Sequence, residues 1–390
     1  MIDLELLKFA TEKQKKYLEA VEEHGSNNKA AKALGVGRRT IDISINALKR
    51  KAAMSGYSPE HDMTRTVPNP FVLKGTSTLY DKEGNMALQW VKTSLDRERY
   101  DAAVREYCEY LVEDVRGKAE PIPPPKLINS DLLSVYGIGD PHVGLYAWKA
   151  ETGADFDLTI AEDLNVGAFA RLVSVAPDSE EALIIEAGDL LHADDSSNMT
   201  PTSGNVLDVD SRYAKVVQVA LRILKRAVDL ALAKHKKVTV WIVGGNHDPH
   251  SSFMVALCLN AFYSNEPRVV IDLSPAQYRY LLFGKVLIGA AHGHGAKAEQ
   301  LPQRMAQDMA PEWGVSLFRY WYLGHIHHTV VKEIGGVIIE YLRTMAARDA
   351  WHALKGYLAG RDMKLFIHHK SFGEIERHTA NVAMLQKESS

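Results

Sequence analysis

Apolar positions recur at helical spacing near the start of the chain. Thr11-Glu12-Lys13-Gln14 has the pattern of a capping box, and the helix that it opens ends at Gly25. A second short helix is predicted from Asn27 to Leu34. A third begins at Arg38 and places four apolar residues on one face: Ile41, Ile45, Leu48 and Ala52. Two short helices, a glycine turn and a third helix predict a helix-turn-helix arrangement.

The pattern changes after residue 56, where glycine and proline interrupt it. The segments 75–80 and 86–91 flank a polar loop that contains Gly84, which predicts a β-hairpin. A helix is predicted from about Asp96 to Arg116, because apolar residues recur at helical spacing without glycine or proline. This part is expected to be a small α+β region.

Four prolines within residues 121–125 mark a boundary, since proline can neither continue a helix nor pair in a central strand. The predicted division of the chain is therefore a helix-turn-helix domain over 1–56, a hairpin-plus-helix region over 57–118, a stiff linker over 119–130, a large α/β domain over 131–380 and a tail over 381–390.

Beyond this linker, apolar strand-like runs recur, and glycines and polar residues cluster where each run ends. Helical segments lie between some of them, which predicts a broadly βαβ order. Ligands bind at the carboxyl ends of strands in open α/β sheets, so five loops are expected to converge. The five motifs are Gly139-Asp140-Pro141-His142, Gly188-Asp189, Gly244-Gly245-Asn246-His247-Asp248, His292-Gly293-His294 and Gly324-His325-Ile326-His327.

Composition narrows the class of protein. Hydrophobic residues make up 46% and charged residues 24% of the 390 residues, which excludes wholesale disorder. The two cysteines have no paired spacing, so a disulfide scaffold and a thiolate zinc finger are excluded. The sequence contains no run of about 20 apolar residues, so no membrane span is expected, and the amino terminus lacks the pattern of a signal peptide. We expect a cytoplasmic location and no membrane partner.

Charge is distributed unevenly. The whole chain has a net charge of −3, but Lys29 to Lys51 contains seven basic residues and one acidic residue, a local charge of +6. Residues 131–390 contain 25 basic and 30 acidic side chains, a net charge of −5. A local positive charge suits contacts to DNA phosphates. The candidate DNA contacts are Arg38, Arg39, Thr40, Asn46, Lys49 and Arg50.

The segment from Asn28 to Ile41 also resembles helix-turn-helix segments of bacterial and phage regulators, in which base-reading residues begin at the positions of Arg38, Arg39 and Thr40. The alternative is a three-helix bundle with a solvated basic face that is used for protein contacts. Because proteins with helix-turn-helix domains are often dimers, a homodimer is a further expectation that rests on this analogy.

A ligand set of two carboxylates, one amide oxygen and four imidazoles can be drawn from the five motifs. This donor set suits Mn²⁺, Fe or Zn²⁺, and seven donors exceed what one tetrahedral ion binds. Two ions that share one carboxylate would use them all. Such pairs activate water and stabilise both oxygens of a phosphoryl displacement, so the residues indicate phosphoester hydrolysis. The cofactors expected are two divalent cations, with Mn²⁺ preferred and Fe or Zn²⁺ as alternatives.

The same motifs, in the same order, resemble the calcineurin-like metallophosphoesterase family, over about Leu132 to His327. The sequence Gly188-Asp189-Leu190-Leu191-His192 is similar to the branch of DNA-repair exonucleases. The resemblance implies a four-layer αββα sandwich. The combination with a helix-turn-helix domain is similar to the layout of proteins encoded by bacteriophages and prophages.

The resemblance also implies a role for each residue. Asp140, His142 and His327 would bind one metal, Asp189 would bridge, and Asn246, His292 and His325 would complete the second site. His247 would stabilise the transition state or protonate the leaving oxygen, and Asp248 would help to orient it. His192 either corresponds to the histidine of the second motif in the exonuclease branch or is a hydrogen-bonding neighbour of the ligands. His294 is the rival of His292 in the fourth motif.

The expected activity is hydrolysis of phosphodiester bonds in DNA by a hydroxide that bridges two metals. A phosphatase or a cyclic-nucleotide phosphodiesterase acting on small molecules is the alternative, and a DNA-binding regulator with an inactive phosphoesterase domain is a third. The acidic loop from Ala193 to Ser211 is expected to form part of the rim of the site.

Overall fold

The computed structural model describes residues 3–67, 71–83, 86–95, 113 and 115–387. The chain forms two compact units, Met1–Glu109 and Tyr110–Ser390. The helix predicted from Asp96 to Arg116 lies almost entirely outside the described residues, so it stays a prediction.

The first unit begins with four helices: α1 (Leu4–Leu7), α2 (Glu12–His24), α3 (Asn27–Ala33) and α4 (Arg38–Met54). The capping box predicted at the start of α2 is confirmed, because the Thr11 side chain accepts from the Gln14 backbone and Gln14 reaches back to the Thr11 N–H. Gly25 ends α2 in the left-handed conformation, with a φ of 73°. Small residues let the helices approach closely, and the buried core contains Tyr17, Ala20, Ala30, Ala31 and Ile41.

Strands follow these helices in the first unit. Two short strands, β1 (Tyr57–Ser58) and β2 (Met63–Thr64), pair around a 3₁₀ turn. The longer strands β3 (Phe71–Tyr80) and β4 (Met86–Leu95) pair antiparallel, with Leu79 opposite Leu88. The predicted hairpin is therefore confirmed, and its strands extend beyond the predicted segments.

The second unit contains a six-stranded sheet with the order β15-β14-β5-β6-β7-β8. Its strands are β5 (Asn129–Ile138), β6 (Ser179–Glu186), β7 (Lys237–Ile242), β8 (Val269–Ile271), β14 (Asp362–His369) and β15 (Gly373–Asn381). The strands β5 to β8 are mutually parallel, and β14 and β15 add an antiparallel edge. Near-continuous apolar runs in the central strands are what burial on both faces of a parallel sheet requires.

A five-stranded sheet with the order β12-β13-β11-β10-β9 completes the strands of this unit. They are β9 (Arg279–Phe283), β10 (Val286–Ala291), β11 (Phe318–Leu323), β12 (Val330–Ile334) and β13 (Val337–Tyr341). The strands β10, β11 and β13 are parallel, and the two edge strands are antiparallel to their neighbours.

Helices cover the outer faces of the two sheets. The helices of the second unit are α5 (Lys149–Thr152), α6 (Leu158–Val175), α7 (Tyr213–Lys234), α8 (Ser251–Phe262), α9 (Leu301–Asp308), α10 (Ala310–Val315), α11 (Ala350–Leu354) and α12 (Val382–Lys387). In α7 the buried positions recur at i, i+3, i+4 and i+7, beginning at Val216, so one face of the helix lies in the core.

Three apolar clusters define the layers of the second unit. Successive residues of β5 point to opposite faces of the sheet, so Val135 and Tyr136 belong to different clusters. Tyr136 packs with α6, α7 and α8, while Val135 packs between the two sheets against residues such as Ile288. Leu287, on the other face of β10, packs with α9. The resulting order is helices, sheet, sheet, helices, and it agrees with the four-layer architecture that the resemblance implies.

The proline-rich segment is partly packed against the second unit. The Gly117 N–H donates to the Ala261 carbonyl over 2.9 Å, and the Asn265 side chain donates to the Ala119 carbonyl over 3.0 Å. Arg268 Nη2 donates to the Ile122 carbonyl over 2.6 Å. The first residues of the predicted linker are thus anchored on this unit, which differs from a free spacer.

The end of the chain also has more structure than the predicted tail. Helix α12 covers residues 382–387, its first residue is buried, and Leu385 packs against the core around α6. Within the described residues, no helix is both long and apolar enough to cross a membrane.

Candidate metal centre

The predicted ligands lie at the carboxyl ends of parallel strands from both sheets. β5 ends just before Asp140, β6 before Asp189 and β10 before His292. Five of the eight non-glycine residues with positive φ among the described residues are predicted ligands: Asp140, His142, Asp189, His325 and His327. Left-handed backbone is unfavourable for such residues and persists where the surrounding structure holds it, which is typical of functional sites.

One group of ligand atoms combines Asp140, His142 and His327, all within 4.8 Å of one another. His142 Nε2 lies 3.0 Å from His327 Nε2, and His327 Nε2 lies 3.7 Å from Asp140 Oδ1. Two hydrogen bonds fix Asp140: its carboxylate accepts the His325 N–H over 2.7 Å, and its carbonyl accepts the Thr344 hydroxyl over 2.6 Å. These three residues are the set assigned to the first metal by the resemblance.

A second group combines Asp189, His292 and His325, also within 4.8 Å of one another. His292 Nε2 lies 3.1 Å from Asp189 Oδ2 and 3.0 Å from Asn246 Oδ1. The other ring nitrogen of His292 donates to the Ala187 carbonyl over 2.8 Å, so Nε2 is directed at the acidic oxygen. The structure thus brings together all four residues that the resemblance assigned to the second metal.

Asp189 lies between the two groups. Its Oδ2 atom is 4.0 Å from His142 Nε2 of the first group and 3.1 Å from His292 Nε2 of the second. Its other oxygen accepts the His247 N–H over 2.8 Å, which fixes the carboxylate plane. A carboxylate in this position can be shared by two cations.

Burial governs the electrostatics of the centre. It raises the pKa of the Asp140 carboxyl to about 7. Burial acts on Asp189 in the same direction, but the nearby imidazole of His292 outweighs it and lowers the pKa of Asp189 below its ordinary value. Burial lowers the pKa of His142 well below its ordinary value and that of His327 to about 3. These two imidazoles are therefore neutral at pH 7, with lone pairs available for a cation.

The donor set fits divalent cations. Asp140 Oδ2 is buried and has no hydrogen-bond partner among the described residues, which is costly unless a cation or another group satisfies it. Imidazoles, two carboxylates and an amide oxygen within a few ångströms are hard and borderline donors. Two groups of three residues, with Asp189 shared, accommodate two ions.

His247 is positioned beside the ligands by a backbone contact. Its Nδ1 lies 2.8 Å from the His192 carbonyl and donates to it, which leaves Nε2 as the free nitrogen of a ring that lines the cavity. The His247 ring packs edge-to-face on His142 at 4.8 Å between centroids. This position beside the metal ligands agrees with the non-ligand role that the resemblance implies.

Asp248 has a different role from the one expected. Its carboxylate accepts the Leu191 N–H over 3.0 Å and the Gly245 N–H over 3.1 Å, and it is fully buried. Burial raises the pKa of Asp248 to about 8, and the charge of Asp189 acts in the same direction. Asp248 therefore joins the loops after β6 and β7, whereas the His192 carbonyl orients the ring of His247.

The two histidines without an assigned metal have different positions. His192 is buried, its Nδ1 lies 3.2 Å from His142 Nδ1, and it forms a third group of close donor atoms with His142 and His247. The ring of His294 is exposed and lies 5.2 Å from that of His292 and 6.1 Å from that of His325. His292, and not His294, is in the second ligand group.

A cavity of about 860 Å³ opens from the ligands. One of its walls is the segment 344–361 between β13 and β14, which contributes Arg348, Trp351, His352 and Tyr357. His352 lies outside the five motifs, but its ring stacks on that of His327 at 5.2 Å between centroids. The sequence signal that could have identified this wall is the apolar run of β13, a further parallel strand whose carboxyl end lies at the same edge of the sheet as those of β10 and β11.

The loop after Asp189 lines the cavity as expected, but with uncharged side chains and not with its carboxylates. The cavity is lined by Thr200, Asn205, Val206 and Leu207 of this loop. Its carboxylates serve internal bonds instead: Asp194 accepts from the Ser251 N–H over 2.8 Å, and Asp210 accepts from the Leu158 N–H over 2.9 Å. This part of the wall is therefore uncharged.

The candidate DNA contacts are all exposed on α4: Arg38, Arg39, Thr40, Asn46, Lys49 and Arg50. Part of their charge is offset within the unit. Arg38 Nε lies 3.4 Å from Asp42 Oδ2, and Lys49 forms an ion pair with Glu60. Arg39 and Arg50 have no ion-pair partner among the described residues. DNA binding by this helix stays a prediction.

No family model matches the chain, and no curated protein matches it. Among solved structures, it is similar to a Streptococcus pneumoniae protein described as a predicted phosphoesterase, with 10% identity, 65% of this chain and 99% of that chain covered, and a TM-score of 0.26. An archaeal phosphodiesterase has 10% identity, coverage of 64% and 99%, and a TM-score of 0.31. Vps29 from Entamoeba histolytica, complexed with zinc, has 14% identity, coverage of 64% and 98%, and a TM-score of 0.26. Likenesses this low carry no weight for the activity, which rests on the geometry of the centre.

Proposed function

We propose that the protein is a divalent-metal-dependent phosphoesterase that hydrolyses phosphodiester bonds, with DNA as its substrate. The observation that carries the proposal is the position of Asp189, whose Oδ2 lies within 4.0 Å of a histidine nitrogen in each of two ligand groups. A pair of cations that shares a carboxylate is suited to phosphoryl displacement.

Different residues of the chain would bind the metals, donate a proton and position the loops around the phosphate. Two cations, when bound, would lower the pKa of an attacking water and neutralise charge on the phosphate oxygens. Asp140, His142 and His327 would hold one, and Asp189, Asn246, His292 and His325 the other. His247, with Nδ1 engaged by a carbonyl, can hold a proton at Nε2 and deliver it to the leaving oxygen. Asp248 keeps the two loops that carry Asp189 and His247 in register.

Support for DNA comes from the first unit. Its helix α4 exposes Arg39 and Arg50, and the segment from Lys29 to Lys51 has a net charge of +6. Binding of one DNA molecule by this unit would raise the concentration of phosphodiesters at a site on the same chain.

A small-molecule phosphodiesterase is the second candidate, and the cavity favours it. The ligands open into a cavity of about 860 Å³ with an uncharged wall formed by residues 200–207, and residues 131–390 have a net charge of −5. These features suit a small ester or the end of a strand better than the middle of a duplex.

The first experiment compares the wild type with Asp189→Asn, using a phosphodiester dye ester and Mn²⁺. Loss of the shared carboxylate charge should lower hydrolysis by at least about 10³-fold, since metal catalysis contributes several kcal/mol. Asp195→Asn is the control, because this exposed carboxylate bonds only to the nearby Ser197 N–H among the contacts described. Near-normal, metal-dependent activity of Asp189→Asn would contradict the two-metal model.

The second experiment determines the substrate class. Purified protein with Mn²⁺ is compared on single-stranded DNA, duplex DNA, a cyclic nucleotide, the phosphodiester dye ester and a phosphomonoester dye ester. Cleavage of DNA is the expected result. Cleavage of only the monoester would overturn the phosphodiesterase proposal, and cleavage of only the cyclic nucleotide would select the small-molecule candidate.

A further inference from the structure

The wall formed by residues 344–361 exposes large aromatic side chains beside the metal ligands. Trp351 is 55% exposed and Tyr357 is 56% exposed, and both line the cavity. Their rings lie 5.8 Å apart at an interplanar angle of 35°. Adjacent aromatic faces that line a cavity are typical of ligand-binding sites.

Met345, Ala346 and Ala347 anchor the start of this wall in the apolar core, and polar bonds hold the rest of it in place. Asp349 caps α11, accepting the His352 N–H over 2.7 Å and lying 2.7 Å from His352 Nδ1. Arg348 donates to the carbonyls of Thr152 and Tyr357 over 2.6 and 3.3 Å. Arg361 donates to the Met345 carbonyl over 2.6 Å. The segment is therefore held in place by contacts that do not involve the rings of Trp351 and Tyr357, and these rings stay exposed to the cavity.

A series of rings connects the metal ligands to this wall. The ring of His327 stacks on that of His352 at 5.2 Å. His352 contacts Trp351 at 5.0 Å and Tyr357 at 5.9 Å between centroids. An ester whose phosphate lies between the ligands would therefore extend its organic group along this wall.

We infer that Trp351 and Tyr357 form a stacking platform for the nucleobase attached to the phosphate being hydrolysed. The inference rests on the proposed function and defines its substrate as a nucleotide unit, either in a DNA strand end or in a small nucleotide diester. Every base has an apolar π-face, so such a platform accepts different bases. The uncharged side chains of Thr200, Val206 and Leu207 in the same cavity do not oppose an anionic strand.

The test compares two dinucleotides, one with both bases and one with a stable abasic residue, in the presence of Mn²⁺. Trp351→Ala should raise the KM for the base-containing dinucleotide by about tenfold, with a smaller effect on the abasic one, since stacking is lost. Trp351→Phe should restore most of the affinity. Phe372→Ala is the control, because this exposed aromatic residue lies in the turn between β14 and β15 and does not line the cavity.

A binding measurement gives a readout that does not depend on hydrolysis. Titration of metal-free protein with the base-containing dinucleotide should quench Trp fluorescence in the wild type, and Trp351→Phe should lose most of that quenching. Tyr357→Ala serves as an independent variant and should weaken binding while the Trp351 signal persists.

The outcomes separate this inference from the proposed function. Equal KM values of the wild type, Trp351→Ala and Tyr357→Ala for both dinucleotides, with metal-dependent hydrolysis intact, would overturn the platform alone. No hydrolysis of any diester by the wild type would overturn the proposed function. A base-dependent KM for a strand end but not for a cyclic nucleotide would identify DNA as the source of the base, and the reverse would identify a small nucleotide.

Discussion

The imidazole rings around the candidate metal centre are oriented by contacts on the side that faces away from it. His292 Nδ1 donates to the Ala187 carbonyl over 2.8 Å, and His247 Nδ1 donates to the His192 carbonyl over 2.8 Å. His142 Nδ1 lies 3.2 Å from His192 Nδ1. Such contacts engage Nδ1 and leave Nε2 on the side of the centre or its cavity, so the residues next to the ligands matter almost as much as the ligands do.

Gly245 is required by the close approach of Asp189. A Cβ atom at position 245 would overlap Asp189 Oδ1 and its backbone nitrogen. Gly245→Ala should therefore displace the shared carboxylate and weaken Mn²⁺ binding by about 10–100-fold, as measured by titration calorimetry. Gly244→Ala is a matched control, since its nearest atom would be Ser252 Oγ at 3.5 Å, an ordinary contact. Equal affinities of the two variants would show that Asp189 is not constrained by this glycine.

His247 is expected to matter most when the leaving group needs a proton. With a DNA substrate, whose leaving group is an alkoxide, His247→Ala should lower kcat by about 10²–10⁴-fold. With a nitrophenyl diester, whose leaving group departs as a stable anion, the loss should be much smaller. The comparison of kcat on the two substrates tests the assignment. Equal losses would argue that His247 acts on the phosphate and not as the proton donor.

At the scale of elements, the position of each functional group follows from where a helix or strand ends. The ligands begin at the ends of β5, β6, β7, β10 and β11, and the aromatic wall begins after β13. In the first unit, the basic residues follow the start and the exposed face of α4. Lys49 is paired with Glu60, and Lys51 donates to the Phe9 carbonyl over 3.1 Å, so these lysines also stabilise the unit.

The contribution of α4 to DNA binding can be measured from the dependence on salt. Arg39 is exposed, so Arg39→Ala should weaken binding to duplex DNA and lower the slope of log K against log salt by about 0.9. Fluorescence anisotropy with a labelled duplex measures both quantities. Lys82→Ala is the control, since this exposed lysine lies in the hairpin turn. An equal change in both variants would assign the effect to total charge and not to α4.

At the scale of the whole molecule, buried histidines outside the metal centre make stability depend on pH. His235 is fully buried, with Nε2 2.7 Å from the Tyr136 hydroxyl and Nδ1 2.9 Å from Ser179 Oγ. Burial lowers the pKa of His235 to about 4 and that of His368 to about 3. Both rings therefore stay neutral in the folded protein over a pH range where they are protonated when unfolded.

Stability should fall as the pH decreases from 7 to 5. Above pH 6.5 the His235 ring is neutral in both the folded and the unfolded protein, so it does not change the free energy of unfolding. Between pH 6.5 and pH 4 the ring binds a proton only in the unfolded protein, which favours unfolding. At pH 5 this costs roughly 2 kcal/mol of unfolding free energy for His235. Urea unfolding at pH 7 and pH 5 measures the loss, and His235→Gln, which keeps a donor and an acceptor, should make the loss smaller by about that amount. If the variant shows the same difference in unfolding free energy between pH 7 and pH 5, burial does not keep His235 neutral.

The sequence by itself determined the capping box of α2, the hairpin and the strand ends that carry the metal-binding motifs. These depend on local pattern: spacing of apolar residues, glycine at turns, and polar residues directly after apolar runs. The residues of five separate motifs could be assigned to one place because carboxyl ends of parallel strands share an edge. What they bind at that edge follows from donor chemistry.

Only the tertiary structure decided which neighbours each of these residues has. Asp248 joins two loops while the His192 carbonyl orients His247, because contacts between residues more than 50 positions apart are not encoded in any local pattern. The position of His352 against His327, and of Trp351 beside the cavity, likewise depends on how residues 344–361 fold back over the sheet. Local spacing predicts what a residue can do, and packing over long sequence separations determines what it contacts.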